Sequence, residues 1–260
     1  MVRGLMSDEE WAFFEPFVVR SSGRSGRPPS DHRRTLDGVF WIARTGVPWR
    51  DLHEHFGKWL SVYRQFRRLT LFGVWDAMME ALNTADAVPS SVAMVDSTIV
   101  RAHQHSAGIK KGASGESVGR SRGGRTTKVH MATNGLGLPL AIELTGGEAS
   151  DYKGFDLIFD GERPLPKVLI ADRGYDADRI REDVKAAGGS TVIPGRQNRT
   201  QTIPVDRFAY RLRNRIERTF GRMKNSRRMA TRYDQTAATY LGFVQVTAIR
   251  LWVGHFVNDA

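Results

Sequence analysis

The stretch FAYRLRNRIERTFGRMKNSRR, residues 208–228, restricts the fold and function of this 260-residue chain more than any other. We predict that it belongs to one long helix running from about Val205 to Met229. At 100° per residue, one face of that helix would present a phenol, a guanidinium, a carboxylate and an ammonium within an arc of about 60°. These four side chains belong to Tyr210, Arg213, Glu217 and Lys224.

Glu217 stands out by its charge. Ten basic residues occur between Arg207 and Arg232, and Glu217 is the single acid among them. One interpretation is that it simply pairs with arginine. The other is that it completes a metal site together with carboxylates from elsewhere in the chain.

Two further acids follow apolar runs that are typical of buried strands. Asp96 lies in VAMVDSTIV, residues 92–100, and Asp172 ends KVLIAD, residues 167–172. An acid at such a position is costly to desolvate unless it is paired or bound to metal, although a capping role is an alternative for either one alone. Gly174 permits a sharp turn that would leave the Asp172 carboxylate at the mouth of the sheet.

Three rigidly held carboxylates suit phosphodiester chemistry. Such chemistry requires charge neutralisation on the nucleophile, the leaving oxygen and the phosphoryl oxygens, which two Mg²⁺ ions about 3.5–4 Å apart supply. Mg²⁺ prefers hard oxygen ligands and only a few carboxylates. Asp96, Asp172 and Glu217 are therefore predicted to be catalytic and to bind metal.

Residues 1–86 are predicted to form a small all-α domain of the helix-turn-helix type. Helix, tight turn and amphipathic helix with a basic outer face is the outline of such a DNA reader. An ordinary helical bundle with a solvated charged face fits the pattern equally well. Within residues 58–83 the apolar face carries Val62, Phe66 and Leu69, and the basic face carries Arg64, Arg67 and Arg68.

Residues 87–260 are predicted to form an α/β domain with a mixed sheet flanked by helices. The alternating stretches TTKVHMATN and LPLAIEL are separated by residues 134–137, a hairpin signal. Residues 101–128 hold seven basic residues, one acid and six glycines, so we expect a mobile basic loop that touches DNA phosphates. A plain flexible linker is the alternative.

The overall charge favours a polyanionic partner. The net charge is +11, and residues 89–260 carry 27 Lys and Arg against 17 Asp and Glu. Nucleic acid is the commonest partner of a strongly basic protein, although a solvated basic surface is an alternative. The chain has no cysteine and no apolar run near the roughly 20 residues that span a bilayer. We therefore expect a cytoplasmic, nucleoid-associated protein with no signal peptide and no membrane partner.

The motifs together resemble a known family. The spacing Y-x-x-R-x-x-x-E-x-x-x-x-x-x-K, from Tyr210 to Lys224, is similar to the signature of DDE insertion-sequence transposases of the IS-four superfamily. VDSTIVRAH and LIADRGYDAD resemble the two Asp motifs of that superfamily. DEEWAFFEPF through GKWLSVYRQFRR resembles its IS-five branch. The resemblance covers essentially the whole chain and meets all three acidic positions.

That resemblance implies an RNase-H-like catalytic fold, two Mg²⁺ ions that Mn²⁺ can replace, and no nucleotide cofactor. It implies double-stranded DNA as substrate, both the terminal inverted repeats and the target, held by a homodimer in the synaptic complex. Water would free a 3′ hydroxyl, which would then attack target DNA. Some relatives carry a β-rich insertion after the second Asp, but here only 44 residues separate Asp172 from Glu217.

The remaining expectations concern DNA contacts, histidines and competing functions. His103 and His105 are expected at the surface, and His130 is a candidate for supporting the metal ligands or touching DNA. A metal-dependent nuclease without strand transfer and an inactive DNA-binding protein are the alternative functions. The predicted DNA contacts are Tyr210, Arg213, Lys224, Arg64, Arg67, Arg68, Arg122, Arg125 and Lys128.

Overall fold

A seven-stranded mixed sheet forms the centre of the computed structural model, which describes residues 5–18, 31–85, 91–108, 117–161 and 163–258. Its strands are β1 (Val92–Ala102), β2 (Gly119–Ser121), β3 (Gly124–Asn134), β4 (Pro139–Gly146), β5 (Val168–Ala171), β6 (Ser190–Val192) and β7 (Thr231–Arg232).

The strand order places β1 in the middle of the sheet. β3 pairs with β1 and with β4 in antiparallel fashion, and β5 and β6 continue on the other side of β1 in parallel. β2 pairs with the start of β3, and β7 pairs with the end of β1. This order of β4, β3, β1, β5 and β6 is RNase-H-like, so the predicted fold class is confirmed.

The turn between β3 and β4 is the predicted hairpin. The side-chain oxygen of Asn134 accepts hydrogen bonds from the backbone N–H groups of Leu136 and Leu138, at 3.0 and 2.9 Å. Gly137 has a φ of 87°, which glycine adopts without the steric cost that a side chain adds. A β-carbon there would also lie 3.2 Å from side-chain atoms of Arg215 and Thr219.

Helices cover both faces of the sheet. They are α1 (Asp8–Phe14), α2 (His32–Thr45), α3 (Trp59–Leu71), α4 (Val74–Ala85), α5 (Asp151–Ile158), α6 (Asp178–Ala186), α7 (Arg207–Tyr210), α8 (Asn214–Lys224), α9 (Arg227–Ala230) and α10 (Ala237–Asn258). α5 and α6 bury Phe155 and Ile180 against one face, where Val95 points. α8 and α10 cover the other face with Ile216 and Trp252.

The N-terminal helices share a core with the sheet. α10 contacts α1, α2, α3 and α4 as well as β4. The rings of Phe66 on α3 and Phe243 on α10 stack with their centroids 4.4 Å apart, and the Trp252 indole donates to the Pro139 carbonyl at 2.7 Å. Residues 1–86 and 87–260, predicted as two domains, therefore meet in one continuous hydrophobic cluster.

The structure corrects two local predictions. The helix expected from 205 to 229 is divided: Arg211–Arg213 forms a 3₁₀ turn, and the extended backbone of Ser226 separates α8 from α9. The basic segment 101–128 is not one loop, because its described ends belong to β1, β2 and β3, while residues 109–116 lie outside the described residues.

Glu143 on β4 supplies a stability prediction. Burial raises its pKa to about 7, with Arg163 opposing the shift and Asp76 and Asp160 adding to it. Because the pKa is raised in the folded state, the folded chain binds the proton more tightly than the unfolded chain does. The free energy of unfolding therefore falls as pH rises from about 4.5 to 7, and above pH 7 it stays lowered by the burial of the charged carboxylate. We expect Glu143→Gln to stabilise the protein by about 1–3 kcal/mol at pH 8 and by much less at pH 5.

Urea unfolding of both chains across this pH range measures the difference. An equal effect at pH 5 and pH 8 would contradict the assigned titration of Glu143.

Candidate active site

Asp96 and Asp172 lie at equivalent places on neighbouring parallel strands. The last register pair between β1 and β5 is Val95 with Ala171, and each acid is the next residue along the chain, Asp96 within β1 and Asp172 directly after β5. Their positions in the sheet therefore bring together two carboxylates that are far apart in sequence.

Glu217 joins Asp96 through Arg213. One guanidinium nitrogen of Arg213 donates to Oδ2 of Asp96 at 2.8 Å, and the other donates to a carboxylate oxygen of Glu217. Arg213 lies in the 3₁₀ turn before α8, and Glu217 lies in the first turn of that helix. A cation thus already stands between two of the three predicted acids.

Asp96 is a largely buried carboxyl. Its side chain is 14% exposed, and its Oδ1 accepts a hydrogen bond from the Ser97 backbone at 2.8 Å. Burial raises the pKa of Asp96 to about 6, against the opposing effects of Arg213 and this hydrogen bond. The carboxylates of Asp172 and Glu217 add to the rise, which indicates that both lie near Asp96.

Gly174 is required at this site by space. Oδ1 of Asp172 accepts from the Gly174 N–H at 2.8 Å and caps the 3₁₀ turn Arg173–Tyr175. A β-carbon on Gly174 would lie 2.7 Å from that oxygen and 2.8 Å from Oδ2 of Asp151. The turn was expected from sequence, but the close approach of a second carboxylate was not.

The helical row is the set Tyr210, Arg213, Glu217 and Lys224, and its last residue lies beside β1. Nζ of Lys224 is exposed and donates to Oγ1 of Thr98 at 2.7 Å, two residues beyond Asp96 on the same strand. Tyr210 is half-buried at the end of α7 and packs against the core. Arg213 and Lys224 therefore contact β1, and Arg213 also pairs with Glu217. Tyr210, the fourth residue of the predicted face, belongs to α7 and is separated from the others by the 3₁₀ turn.

The predicted DNA contacts of the basic segment occupy different environments. Arg122 and Arg125 are exposed, in the β2–β3 turn and at the start of β3. Lys128 is only 9% exposed, because its ammonium donates to the Ala149 carbonyl at 2.5 Å and pairs with Asp151 at 3.3 Å. Lys128 thus has an internal partner, unlike the surface role expected for it.

α3 has the predicted amphipathic character. Val62, Phe66 and Leu69 are buried, and Arg64, Arg67 and Arg68 are exposed. The tight turn lies after α3, at Phe72–Gly73, whereas the connection from α2 contains the two 3₁₀ turns. The geometry of a helix-turn-helix reader stays a prediction.

The histidines divide into two groups. The rings of His103 and His105 lie 4.7 Å apart near Tyr233, outside the acidic cluster. His130 is fully buried, and its Nε2 shares a hydrogen bond of 2.8 Å with the Thr145 hydroxyl. Burial, with Lys128 adding, lowers the pKa of His130 to about 4, so the ring is neutral at pH 7. The buried position of His130, next to Gly154 of α5, indicates that this ring has a packing role.

Among the described residues, no three acidic or histidine side chains enclose a space for a metal ion as they stand. The guanidinium of Arg213 lies between the carboxylates of Asp96 and Glu217. In the same part of the chain, no helix combines the length and apolarity needed to cross a membrane.

Comparison with known proteins decides the family. A family model described as "Transposase DDE domain" matches residues 88–252. The chain belongs to the DDE-domain transposases. A second model, "Putative transposase of IS4/5 family", matches residues 6–79 of this transposase. The resemblance to insertion-sequence transposases is confirmed.

Two curated proteins are similar to parts of this transposase. One is "Putative transposase for insertion sequence element IS6501" of Brucella ovis, 33% identical over 132 residues, which are 49% of this chain and 98% of that protein. The other is "Insertion element IS402 uncharacterized 16.2 kDa protein" of Burkholderia cepacia, 33% identical over 112 residues, or 39% of this chain and 76% of that protein.

Among solved structures, the mariner Mos1 paired end complex with Mg is matched over 96% of this transposase and 86% of that chain. The sequence identity is 11% and the TM-score is 0.30. A likeness at this level supports no inference about what this transposase binds.

Proposed function

We propose that this transposase binds the terminal inverted repeats of its insertion sequence, cleaves DNA strands there and joins them to target DNA. The observation that carries the proposal is that Asp96, Asp172 and Glu217 lie near the point where the pairing of the central strands β1 and β5 ends. Asp96 and Asp172 follow a register pair of adjacent strands, and Glu217 shares Arg213 with Asp96.

The residues present fit divalent metal. They offer hard carboxylate oxygens, of the kind that Mg²⁺ and Mn²⁺ take, and one of the acids is largely buried with a cation beside it. Bound at Asp96, Asp172 and Glu217, two such ions would neutralise charge on the scissile phosphate and activate the attacking hydroxyl.

The basic side chains of the helical row have separate tasks in this proposal. Arg213 holds Asp96 and Glu217 together while no DNA is bound, since it pairs with both. Lys224 is exposed next to the same strand and is placed to bind a phosphate beside the scissile bond. Tyr210, half-buried, would add a hydrogen bond or a stacking contact from the start of the row.

End recognition is assigned to the N-terminal helices and the basic segment. Arg64, Arg67 and Arg68 are exposed on α3, and Arg122 and Arg125 are exposed on the β2–β3 hairpin. Both surfaces carry positive charge that suits duplex phosphates. Two ends must be cut together, so we propose that two copies of the chain form a homodimer in the synaptic complex. We also propose that the reaction uses no nucleotide cofactor.

The α3 surface gives a direct prediction. Replacing Arg64, Arg67 and Arg68 by Ala should weaken binding to the terminal repeats by at least about tenfold at low salt, because each lost phosphate contact reduces the salt slope by about one. Gel-shift titrations at several salt concentrations measure both quantities.

A matched control is the triple variant Lys167→Ala, Arg179→Ala and Lys185→Ala, which removes three exposed basic side chains just before β5 and on α6. Equal affinity of the α3 variant and the wild type would mean that the arginines of α3 are only solvated.

Incubation with DNA that carries the transposon ends tests the proposed function. With Mg²⁺ or Mn²⁺ we expect nicks that expose a 3′ hydroxyl, followed by joining of that end to a target plasmid. Nicks without joining would favour a metal-dependent nuclease, and binding without nicks would favour an inactive DNA-binding protein. Full activity in EDTA would refute the metal site.

A further inference from the structure

Asp151 lies beside the candidate site and was not among the predicted residues. It is the first residue of α5, the helix that follows β4. Its Oδ1 accepts hydrogen bonds from the Ser97 hydroxyl at 2.7 Å and from the Lys128 ammonium at 3.3 Å. Ser97 is the neighbour of Asp96 in β1, so this carboxylate is tied directly to the strand that carries the first predicted acid.

The second oxygen of Asp151 is directed toward Asp172. Oδ2 of Asp151 and Oδ1 of Asp172 both lie within 2.8 Å of the position that a β-carbon on Gly174 would occupy. The absence of a side chain at Gly174 thus leaves the two carboxylates as neighbours. Two like charges this close are unfavourable unless a cation lies near both.

The buried Tyr175 phenol lies beside the same acids. Tyr175 is 1% exposed. Burial raises the pKa of Tyr175, the carboxylates of Asp151, Asp96 and Asp172 add to the rise, and a hydrogen bond with Ser97 opposes it. Asp151 therefore lies in the same group of neighbouring acids as Asp96 and Asp172.

We infer that Asp151 is a fourth acidic residue of the metal site, which contributes Oδ2 to a divalent cation held also by Asp172. This inference rests on the proposed function. Metal-binding carboxylates are oriented by hydrogen bonds from their surroundings, and Ser97 and Lys128 fix the other oxygen of Asp151 in this way. Lys128, predicted as a DNA contact, then has a positioning role.

Two of the acids have a basic partner in the structure. Asp96 pairs with Arg213, and Asp151 pairs with Lys128. Oδ2 of Asp151 and Oδ1 of Asp172, on either side of Gly174, are the oxygens proposed to hold the cation.

Mn²⁺ binding to the full-length chain tests the inference without any DNA substrate. Asp151→Asn keeps an oxygen that accepts from Ser97 and Lys128 but removes the negative charge. We expect the apparent dissociation constant for Mn²⁺, measured by electron paramagnetic resonance, to rise at least ~10-fold. The melting temperature in EDTA should change by only a few degrees, because relief of the repulsion between Asp151 and Asp172 opposes the loss of the ion pair with Lys128.

Asp156→Asn is the matched control, since Asp156 lies on the same helix, is half-exposed and pairs with Arg179. Ser97→Ala is a second variant that retains the Asp151 charge and frees its orientation, and it should weaken Mn²⁺ binding by a smaller factor. Asp172→Asn serves as the benchmark for the proposed metal site.

Unchanged Mn²⁺ affinity in Asp151→Asn, with a loss in Asp172→Asn, would overturn the inference and leave the proposed function standing. Unchanged affinity in both variants would overturn the two together.

Discussion

Replacing Asp172 by Asn should reduce strand cleavage by on the order of a thousandfold or more while leaving DNA binding within about twofold of the wild type. The same result is expected for Asp96→Asn and Glu217→Gln. A catalytic metal supplies several kcal/mol of charge stabilisation in the transition state, and each 1.36 kcal/mol is tenfold in rate. None of the three changes adds bulk, so the fold should persist.

Single-turnover cleavage and gel-shift titration measure the two effects side by side. Glu182→Gln, an exposed acid on α6, is the control for loss of one negative charge. A variant of the three that retains cleavage within tenfold of the wild type would remove that residue from the site.

Replacing Arg213 by Ala should lower the melting temperature by about 3–8 °C, corresponding to about 1–3 kcal/mol. Arg213 is 18% exposed and pairs with Asp96 and Glu217. Without it, a largely buried Asp96 carboxylate loses its cation, which is more costly than the loss of a surface ion pair. Added Mg²⁺ should restore part of the lost stability, because it replaces the missing positive charge.

The pH dependence of this loss has a definite sign. Burial raises the pKa of Asp96 to about 6, and Arg213 opposes this rise. In Arg213→Ala the pKa of Asp96 should therefore be higher still. Below that pKa the carboxyl is neutral in the folded state and needs no cation. The destabilisation by Arg213→Ala should therefore be larger at pH 8 than at pH 5.

Lys224→Ala is the matched comparison for Arg213→Ala. Lys224 is exposed and donates only to the Thr98 hydroxyl among the interactions resolved for it, so the melting temperature should change by no more than about 1–2 °C. Cleavage should nevertheless fall, since a phosphate contact is lost. Equal melting temperatures for Arg213→Ala and the wild type would show that the two ion pairs do not hold the site together.

Local patterns in the sequence were sufficient for the elements that carry the site. The apolar runs before Asp96 and Asp172 predicted two buried strands, and the helical spacing placed Arg213, Glu217 and Lys224 on one face. These features depend on neighbouring residues, with a period of two in strands and 3.6 in helices. The RNase-H-like strand order came from the family resemblance and was confirmed by the register of β1 with β3 and β5.

The local sequence patterns did not predict contacts between residues that are far apart along the chain. The pairing of Arg213 with Asp96 joins residues that are 117 positions apart, and the burial of Lys128 depends on where α5 begins. A basic, glycine-rich composition gave no sign that Lys128 faces inward. Asp151 did carry a signal, because it follows a predicted strand and a turn, as Asp172 follows its own strand.

The most direct test of the central claim is to locate the metal on the protein itself. Fe²⁺ in place of Mg²⁺, with ascorbate and peroxide, generates hydroxyl radicals that cut the nearby backbone. The proposed function predicts cuts next to Asp96, Asp172 and Glu217, and the inferred role of Asp151 adds a cut next to that residue. All of these cuts should disappear when excess Mg²⁺ is added. Cuts confined to other segments, or cuts at these residues that Mg²⁺ does not suppress, would contradict a single metal site built from the three acids.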